Sequence, residues 1–164
     1  MAETALPLAG RRIVLGVSGG IGAYKAALAA RLLVGRGAQV DTILTRGGQR
    51  FIGAPTFEGI TGRAARSEVW EEIPDETHVA LGRAADAILI YPATAHLLAK
   101  LATGLADDLL TTSLLVARCP IVVAPAMHTE MWQHPATSHN VEVLRARGVV
   151  FVGPEDGPLM GGDS

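Results

Sequence analysis

The chain has 164 residues, a net charge of −2 at pH 7 and one cysteine, Cys119. This length predicts a single domain with a full core over residues 1–164. The absence of a basic stripe argues against nucleic acid as a partner, and no apolar run approaches the roughly 20 residues of a membrane span. No secretory signal is visible, and a lone cysteine fits a reducing compartment, so we expect a cytoplasmic protein.

Apolar runs alternate with helical patterns, which predicts parallel strands joined by helical crossovers. The predicted strands are 11–17, 39–44, a weak one near 64–69, 87–91, 121–124 and 149–152. The predicted helices are 23–36, one or two short ones after the turn at 45–48, 78–85, 97–101, 108–117 and 135–147. Residues 71–77 are predicted as an acidic loop, and 153–164 as a mobile clamp or flap. This order predicts an α/β fold, a doubly wound parallel sheet of the flavodoxin-like, Rossmann-like kind in three layers.

Glycine-rich or polar turns follow four of the predicted strands. The first, Ser-Gly-Gly-Ile-Gly at 18–22, joins a strand to the start of a helix. Glycines there let backbone N–H groups approach an anion, and the helix dipole favours negative charge. The other turns are at 45–47, 94–96 and 126–128. Because loops at the carboxyl edge of a parallel sheet converge, the four turns together predict a mononucleotide site.

The segment 125–132, Pro-Ala-Met-His-Thr-Glu-Met-Trp, follows an apolar strand directly. It is too dense in Pro, Met, Trp and His for an ordinary connection, and α/β folds keep their ligands at this position. A packed plug formed by Met131 and Trp132 at a subunit contact is also compatible with this composition. No metal site is predicted, because the five histidines lack a His-Glu-x-x-His pattern and one cysteine is too few.

These motifs resemble those of the homo-oligomeric flavin-containing cysteine decarboxylases, and the resemblance covers nearly the whole chain. Residues 18–25 match the family's first flavin turn. The block from Pro92 through Gly104 to Leu110 matches its second motif. Pro-x-Met-x-x-x-Met-Trp at 125–132 matches its substrate motif, and His78 falls at its catalytic histidine.

The resemblance implies FMN as the cofactor and a homotrimer or homododecamer with sites at subunit boundaries. His78 would be the catalytic base, and His128 and Met131 would bind the substrate. The residues implied to bind FMN are Gly19, Gly20, Ile21, Thr45, Gly47, Thr94, Ala95, His96, Leu97 and Ala126. Flavin would supply the oxidation, and a histidine near neutral pKa suits the proton transfer.

Two departures from the family pattern bear on the substrate. The family usually has Asn where this chain has His128, whose imidazole can still donate a hydrogen bond; a loop histidine bonded only to backbone is the alternative. The members that act in coenzyme biosynthesis often have a proton-donating cysteine where this chain has Gly161. Gly161 therefore predicts an oxidised product, formed without return of electrons from the flavin.

We therefore expect an enzyme that performs FMN-dependent oxidative decarboxylation of a C-terminal cysteine of a ribosomal peptide precursor, giving an enethiol. The alternative is phosphopantothenoylcysteine decarboxylase of coenzyme A biosynthesis, so the expected partner is a cysteine-terminated peptide or phosphopantothenoylcysteine. A non-catalytic flavin-binding regulatory subunit is a third interpretation, against which His78 argues.

Overall fold

The structure, a computed structural model, describes residues 6–67 and 77–155. Within these ranges the strands are β1 (Arg12–Val17), β2 (Gln39–Leu44), β3 (Ala87–Ala93), β4 (Ile121–Pro125) and β5 (Val150–Phe151). The helices are α1 (Ala23–Gly35), α2 (Arg46–Gln49), α3 (Ala54–Thr61), α4 (Thr77–Ala84), α5 (Ala95–Thr103), α6 (Leu109–Val116), α7 (Thr129–Gln133) and α8 (Pro135–Ala146). No helix of this described part is long and apolar enough to cross a membrane.

The five strands form one sheet in the order β2-β1-β3-β4-β5, and every pairing is parallel. β1 lies between β2 and β3. Its residue Ile13 pairs with Val40 of β2 on one side and with Ala87 of β3 on the other. The chain thus winds from β1 to one edge and then back across to the other. This confirms the predicted doubly wound, flavodoxin-like α/β fold.

Helices cover both faces of the sheet, and successive strand residues pack alternately against the helices of one face and of the other. Val17 and Val40 point to the layer that contains α1 and α3, where Phe57 is fully buried. Ile88 and Val123 point to the opposite layer, which contains α4, α5, α6 and α8. The α1 layer is built on Ala23, Ala26 and Ala30, whose small side chains let the helix approach the sheet closely.

The structure corrects three of the predicted elements. β3 continues through Pro92 and Ala93, which the sequence predicted as a turn, because its backbone still pairs with Pro125 of β4 after a register shift. Of the weak strand predicted near 64–69, the described residues 64–67 form one isolated bridge, between Arg66 and Ile43, and 68–69 lie outside the described residues. The short helix α7 was missed, because Pro, His and Met residues around it hide its helical pattern. Residues 68–76, which include most of the predicted acidic loop, lie outside the described residues.

Helix α4 lies very close to α6. A Cβ placed on Gly82 would come within 2.6 Å of the Ser113 carbonyl oxygen and 3.3 Å of the Ala117 nitrogen. Real Cβ atoms do not approach backbone atoms so closely, so only glycine allows this separation of the helices. The contact fixes the position of α4 and therefore of His78 near its start.

Thr42 of β2 is almost fully buried, and its hydroxyl has no hydrogen-bond partner in the part of the chain that the structure describes. A buried hydroxyl without a partner costs about 1–3 kcal/mol. We expect Thr42→Val, which replaces the hydroxyl by a methyl group, to raise the free energy of unfolding by about 1 kcal/mol in urea denaturation. Thr42→Ser keeps the hydroxyl and removes a buried methyl, so it should lower stability; a Val variant less stable than wild type would contradict the interpretation.

Candidate functional site

The carboxyl ends of neighbouring strands are held together by hydrogen bonds outside the regular ladder. The Ser18 hydroxyl, buried after β1, donates to the Pro92 carbonyl of β3. The Ala126 amide, which follows β4, donates to the Ala93 carbonyl at 3.1 Å. These bonds bring the turns after β1, β3 and β4 to one place, as the sequence predicted from the parallel order.

The turns after β1 and β2 touch through their backbones. A Cβ on Gly19 would lie 2.8 Å from two backbone atoms of Gly47, so a side chain at Gly19 would push the turns apart. Thr45 orders the second turn, because its hydroxyl accepts a hydrogen bond from the Gly48 amide at 3.0 Å. Its own amide donates to the Val17 carbonyl at 3.0 Å.

These turns line a cleft of about 1800 Å³. Typical small-molecule sites measure about 300–1000 Å³, so the cleft has room for a mononucleotide and a second ligand. Every predicted site residue except His78 lines it, namely Gly19, Gly20, Ile21, Thr45, Gly47, Thr94, Ala95, His96, Leu97, Ala126, His128 and Met131. Of the expected flap at 153–164, the structure describes Gly153, Pro154 and Glu155, which also line the cleft; Gly161 lies outside the described residues.

Unpaired backbone donors lie at the start of α1. The N–H groups of Gly20, Ile21 and Gly22 make no hydrogen bond within the described residues. The first turn of α1 contains no acidic side chain, and its 13-residue length gives it a full dipole. This combination of free N–H groups and a helix N-terminus suits a phosphate.

The turn after β3 faces the same donors. Thr94 caps α5 by accepting from the Leu97 amide at 3.2 Å, and its hydroxyl lies 3.5 Å from that of Ser18. A Cβ on Gly20 would point towards this turn and meet Thr94 Cγ2 at 3.7 Å and Pro92 Cγ at 3.8 Å, which are ordinary contacts. The gap between the two turns could therefore accept a methyl group without strain in the protein itself.

The far side of the cleft is formed by the segment after β4. His128 is the N-cap of α7, is exposed, and makes no side-chain cap hydrogen bond, so its imidazole is available to a ligand. Met131 is 46% exposed, whereas Trp132 packs against the core formed by the α5 and α8 layer. The two residues thus differ: Trp132 anchors α7, and Met131 faces the cleft.

His78 lies apart from the other predicted residues. It sits near the start of α4, is half-buried, and does not line the cleft. α4 packs on α6 rather than on the helices beside the glycine turns. Within a single chain, the structure therefore does not bring His78 together with the residues predicted to bind FMN.

The sequence analysis missed a charged cluster in the cleft wall. Lys100 Nζ lies 2.7 Å from Asp107 Oδ1 and 3.5 Å from Asp108 Oδ2. Burial alone would lower the pKa of Lys100, but the hydrogen bond to Asp107 and the negative charges of both aspartates outweigh it and raise the pKa above its usual value. The same hydrogen bond lowers the pKa of Asp107, so Lys100 and Asp107 both stay charged at neutral pH. The signal in the sequence was the position of Lys100, seven and eight residues before Asp107 and Asp108.

Among the described residues, neither a reactive thiol nor a metal cluster adds chemistry to the cleft. Cys119 lies between α6 and β4, at the amino ends of the strands and so away from the cleft. Burial raises the pKa of its thiol. A raised pKa leaves little thiolate at neutral pH, which argues against a nucleophilic role. Within residues 6–67 and 77–155, no group of three or more His, Cys, Asp or Glu side chains could hold a metal ion.

Comparison with protein families and curated proteins finds relatives along nearly the whole chain. The family model described as Flavoprotein matches residues 1–163. The coenzyme A biosynthesis bifunctional protein CoaBC of Mycobacterium tuberculosis is 51% identical over 154 residues, which are 94% of this chain and 37% of that protein. The CoaBC protein of Vibrio cholerae is 40% identical over 158 residues, or 95% of this chain and 40% of its own length. The chain therefore spans about two fifths of these relatives.

Solved structures with the same fold cover most of both chains. The FMN-dependent cysteine decarboxylase SpaF superimposes with a TM-score of 0.87 at 38% identity, covering 92% of this chain and 87% of SpaF. A PPC decarboxylase mutant complexed with pantothenoylaminoethenethiol gives a TM-score of 0.82 at 29% identity, with coverages of 93% and 87%.

Proposed function

We propose, from the premise that this chain belongs to the flavoprotein family, that it is an FMN-dependent decarboxylase acting on the cysteine carboxylate of phosphopantothenoylcysteine. The observation that carries the proposal is the cleft, where the glycine turn, Thr94 and the Met131 segment meet at one edge of the sheet. The family, the FMN cofactor and the decarboxylase class agree with the resemblance drawn from the sequence.

The relatives favour the coenzyme precursor over a peptide as substrate. Curated relatives that are 51% identical over 94% of the chain act in coenzyme A biosynthesis, whereas SpaF is 38% identical. The sequence alone had favoured a peptide because of Gly161. That residue lies outside the described part of the chain, so the comparisons outweigh it and reverse the order of the two candidates.

The cleft fits FMN on the evidence of its unpaired donors. The free N–H groups of Gly20, Ile21 and Gly22 offer hydrogen bonds to one phosphate, next to the Thr45 turn. Thr94 to Leu97 would pass along the flavin, with Ala126 near the ring system. When bound, FMN supplies the two-electron oxidation of the substrate's CH2–SH group that allows CO2 to leave.

The remaining roles fall to residues at the β4 end of the cleft and to His78. His128 donates a hydrogen bond to the substrate's carboxylate or amide, and Met131 packs against the substrate. His78 removes the thiol proton as the general base. Since His78 does not line the cleft of its own chain, it reaches the site of a neighbouring subunit in an oligomer.

Exposed apolar residues on α1 support an oligomer. Tyr24, Leu28 and Leu32 follow each other at four-residue intervals on one side of the helix, and each is more than half exposed. Ile21, 70% exposed, extends the row towards the cleft. Monomeric proteins rarely expose such continuous apolar surface, so a second copy covers it. A homotrimer, alone or within a homododecamer, is the assembly we propose.

Mass spectrometry tests the proposed activity. The FMN-loaded protein should convert phosphopantothenoylcysteine to a product that has lost CO2, and a control without protein should not. A peptide that ends in cysteine is the second substrate to test, because the neighbours SpaF and TvaF are described as FMN-dependent cysteine decarboxylases. Turnover of the peptide alone would replace the first candidate by the second, and turnover of neither would overturn the proposed activity.

Gly20→Ala tests the FMN site separately from turnover. The methyl group fits against Thr94 but occupies the gap between the two turns, so we expect the Kd for FMN to rise at least about tenfold, or about 1.4 kcal/mol. Thermal unfolding of the FMN-free variant should stay close to that of wild type. Gly19→Ala is the matched control, because its clash with Gly47 should lower the stability of the FMN-free protein. Unchanged FMN affinity in Gly20→Ala would place the phosphate elsewhere.

A further inference from the structure

Unpaired positive charge lies at one end of the cleft. Lys25, Arg46 and Arg50 line it, and none forms an ion pair within the described residues. The other lining cation, Lys100, is already paired with two aspartates. Glu155, the remaining lining acid of the described chain, follows β5 at the opposite side of the sheet.

Arg46 begins α2, and Arg50, its C-cap, follows four residues later, so the two side chains start from the same side of this single helical turn. α2 directly follows the edge strand β2, and both arginines line the cleft at this outer end. A guanidinium group presents a planar fork of N–H donors that matches phosphate oxygens. Two such groups side by side favour a phosphate over a single carboxylate.

One phosphate does not balance this charge. A phosphate monoester carries about −1.5 to −2 at pH 7, and the FMN phosphate has its own donors in the glycine turn. With FMN bound, three cations and one phosphate leave the β2 end positive. A second anionic group at that end would find unpaired cationic partners.

The sheet sets the distance between this end and the reacting end. The order β2-β1-β3-β4 separates the carboxyl ends of β2 and β4 by three strand spacings, or about 14 Å. His128 and Met131 follow β4, and Arg46 and Arg50 follow β2. An extended linker of about four residues' length bridges that separation.

We propose that Arg46 and Arg50 bind a phosphate monoester of the substrate, which lies across the cleft with its cysteine at the β4 end. The inference rests on the proposed function and specifies the substrate class: a cysteine joined to a phosphate by an extended linker about 14 Å long. A peptide that ends in cysteine but carries no phosphate leaves the two arginines without a partner.

The test compares substrates with and without the phosphate. In the FMN-loaded wild-type protein, kcat/KM for phosphopantothenoylcysteine should exceed that for pantothenoylcysteine about 10- to 100-fold, as for lost hydrogen bonds to a charged group. In the double variant Arg46→Gln, Arg50→Gln this preference should disappear through a higher KM for the phosphorylated substrate. At saturating FMN, kcat/KM for pantothenoylcysteine should stay close to its wild-type value, and the Kd for FMN should rise less than the KM for the phosphorylated substrate. Arg118→Gln is the matched control, because Arg118 lies at the amino ends of the strands and does not line the cleft. This variant should keep the preference for the phosphorylated substrate.

Binding gives a second measurement that does not depend on turnover. By calorimetry, phosphopantothenate should bind the FMN-loaded wild-type protein more tightly than pantothenate, and the double variant should lose this difference. A preference that persists in the double variant, or a loss of FMN affinity with equal effects on both ligands, overturns the inference. Absence of turnover by the wild-type protein overturns the proposed function instead, while the binding comparison still decides the role of the arginines.

Discussion

His78→Asn is expected to lower the rate of decarboxylation at least about 100-fold, because removal of a general base typically costs that much. Asparagine keeps a similar size and a hydrogen-bonding group but cannot accept the thiol proton at neutral pH. Since the residues proposed to hold FMN line the cleft and His78 is not one of them, the Kd for FMN and the flavin absorption spectrum should stay as in wild type. Product formation by mass spectrometry and FMN titration of the FMN-free protein measure the two properties separately.

His139→Asn is the matched control for this substitution. His139 lies exposed on α8, away from the cleft, so its replacement should leave turnover unchanged. Decarboxylation by His78→Asn at a rate near that of wild type would remove His78 from the mechanism. A parallel loss of FMN binding would instead assign it to the cofactor site.

Mixing two impaired variants is expected to restore activity if each site is shared by two subunits, in assays at an FMN concentration well below the raised Kd of Gly20→Ala. Gly20→Ala damages the FMN side of a site, and His78→Asn damages the base. In a trimer that contains both variants, one of the three sites should combine an intact Gly20 with an intact His78 of the neighbour. Activity should therefore rise from a low level for either variant to about one third of the wild-type value.

Coexpression of the two variants with different affinity tags, followed by purification on both tags, provides the mixed oligomers. The control pairs Gly20→Ala with a chain that has both substitutions, which leaves every site without an intact Gly20. If mixed oligomers stay as inactive as the control, each site is complete within one subunit, and His78 would have to reach its own cleft by a movement of α4.

The turns of the site could be predicted from the sequence because their positions follow from topology. Parallel strands end at the same edge, so the sequence alone places Gly20, Thr94 and Ala126 together. The location of His78 could not be predicted, because it depends on how closely α4 packs on α6 and on which surfaces another copy covers. Sequence spacing contains neither quantity. The Lys100 pairs were missed because their partners lie beyond a helix end, where the chain direction changes at Gly104.

Charges at the outer end of the cleft were overlooked for a different reason. The sequence placed the turn at 45–47 at the site, but Arg46 and Arg50 look like ordinary exposed residues, and only the structure shows that both side chains line the same cleft as Met131. The extent of β3 was underestimated because proline usually ends a strand, whereas here the carbonyls around Pro92 and Ala93 still bond to neighbouring turns.

The donors that we propose for the phosphate, at Gly20, Ile21 and Gly22, are main-chain groups, and this has an evolutionary consequence. Main-chain donors persist when the side chains around them change, provided that the turn keeps its shape. On the proposed assignment, selection can alter residues such as His128 or Arg50 without loss of the cofactor. One ancestral scaffold could in this way diverge towards different cysteine-bearing substrates, since the residues proposed to choose the substrate are separate from those proposed to hold the flavin.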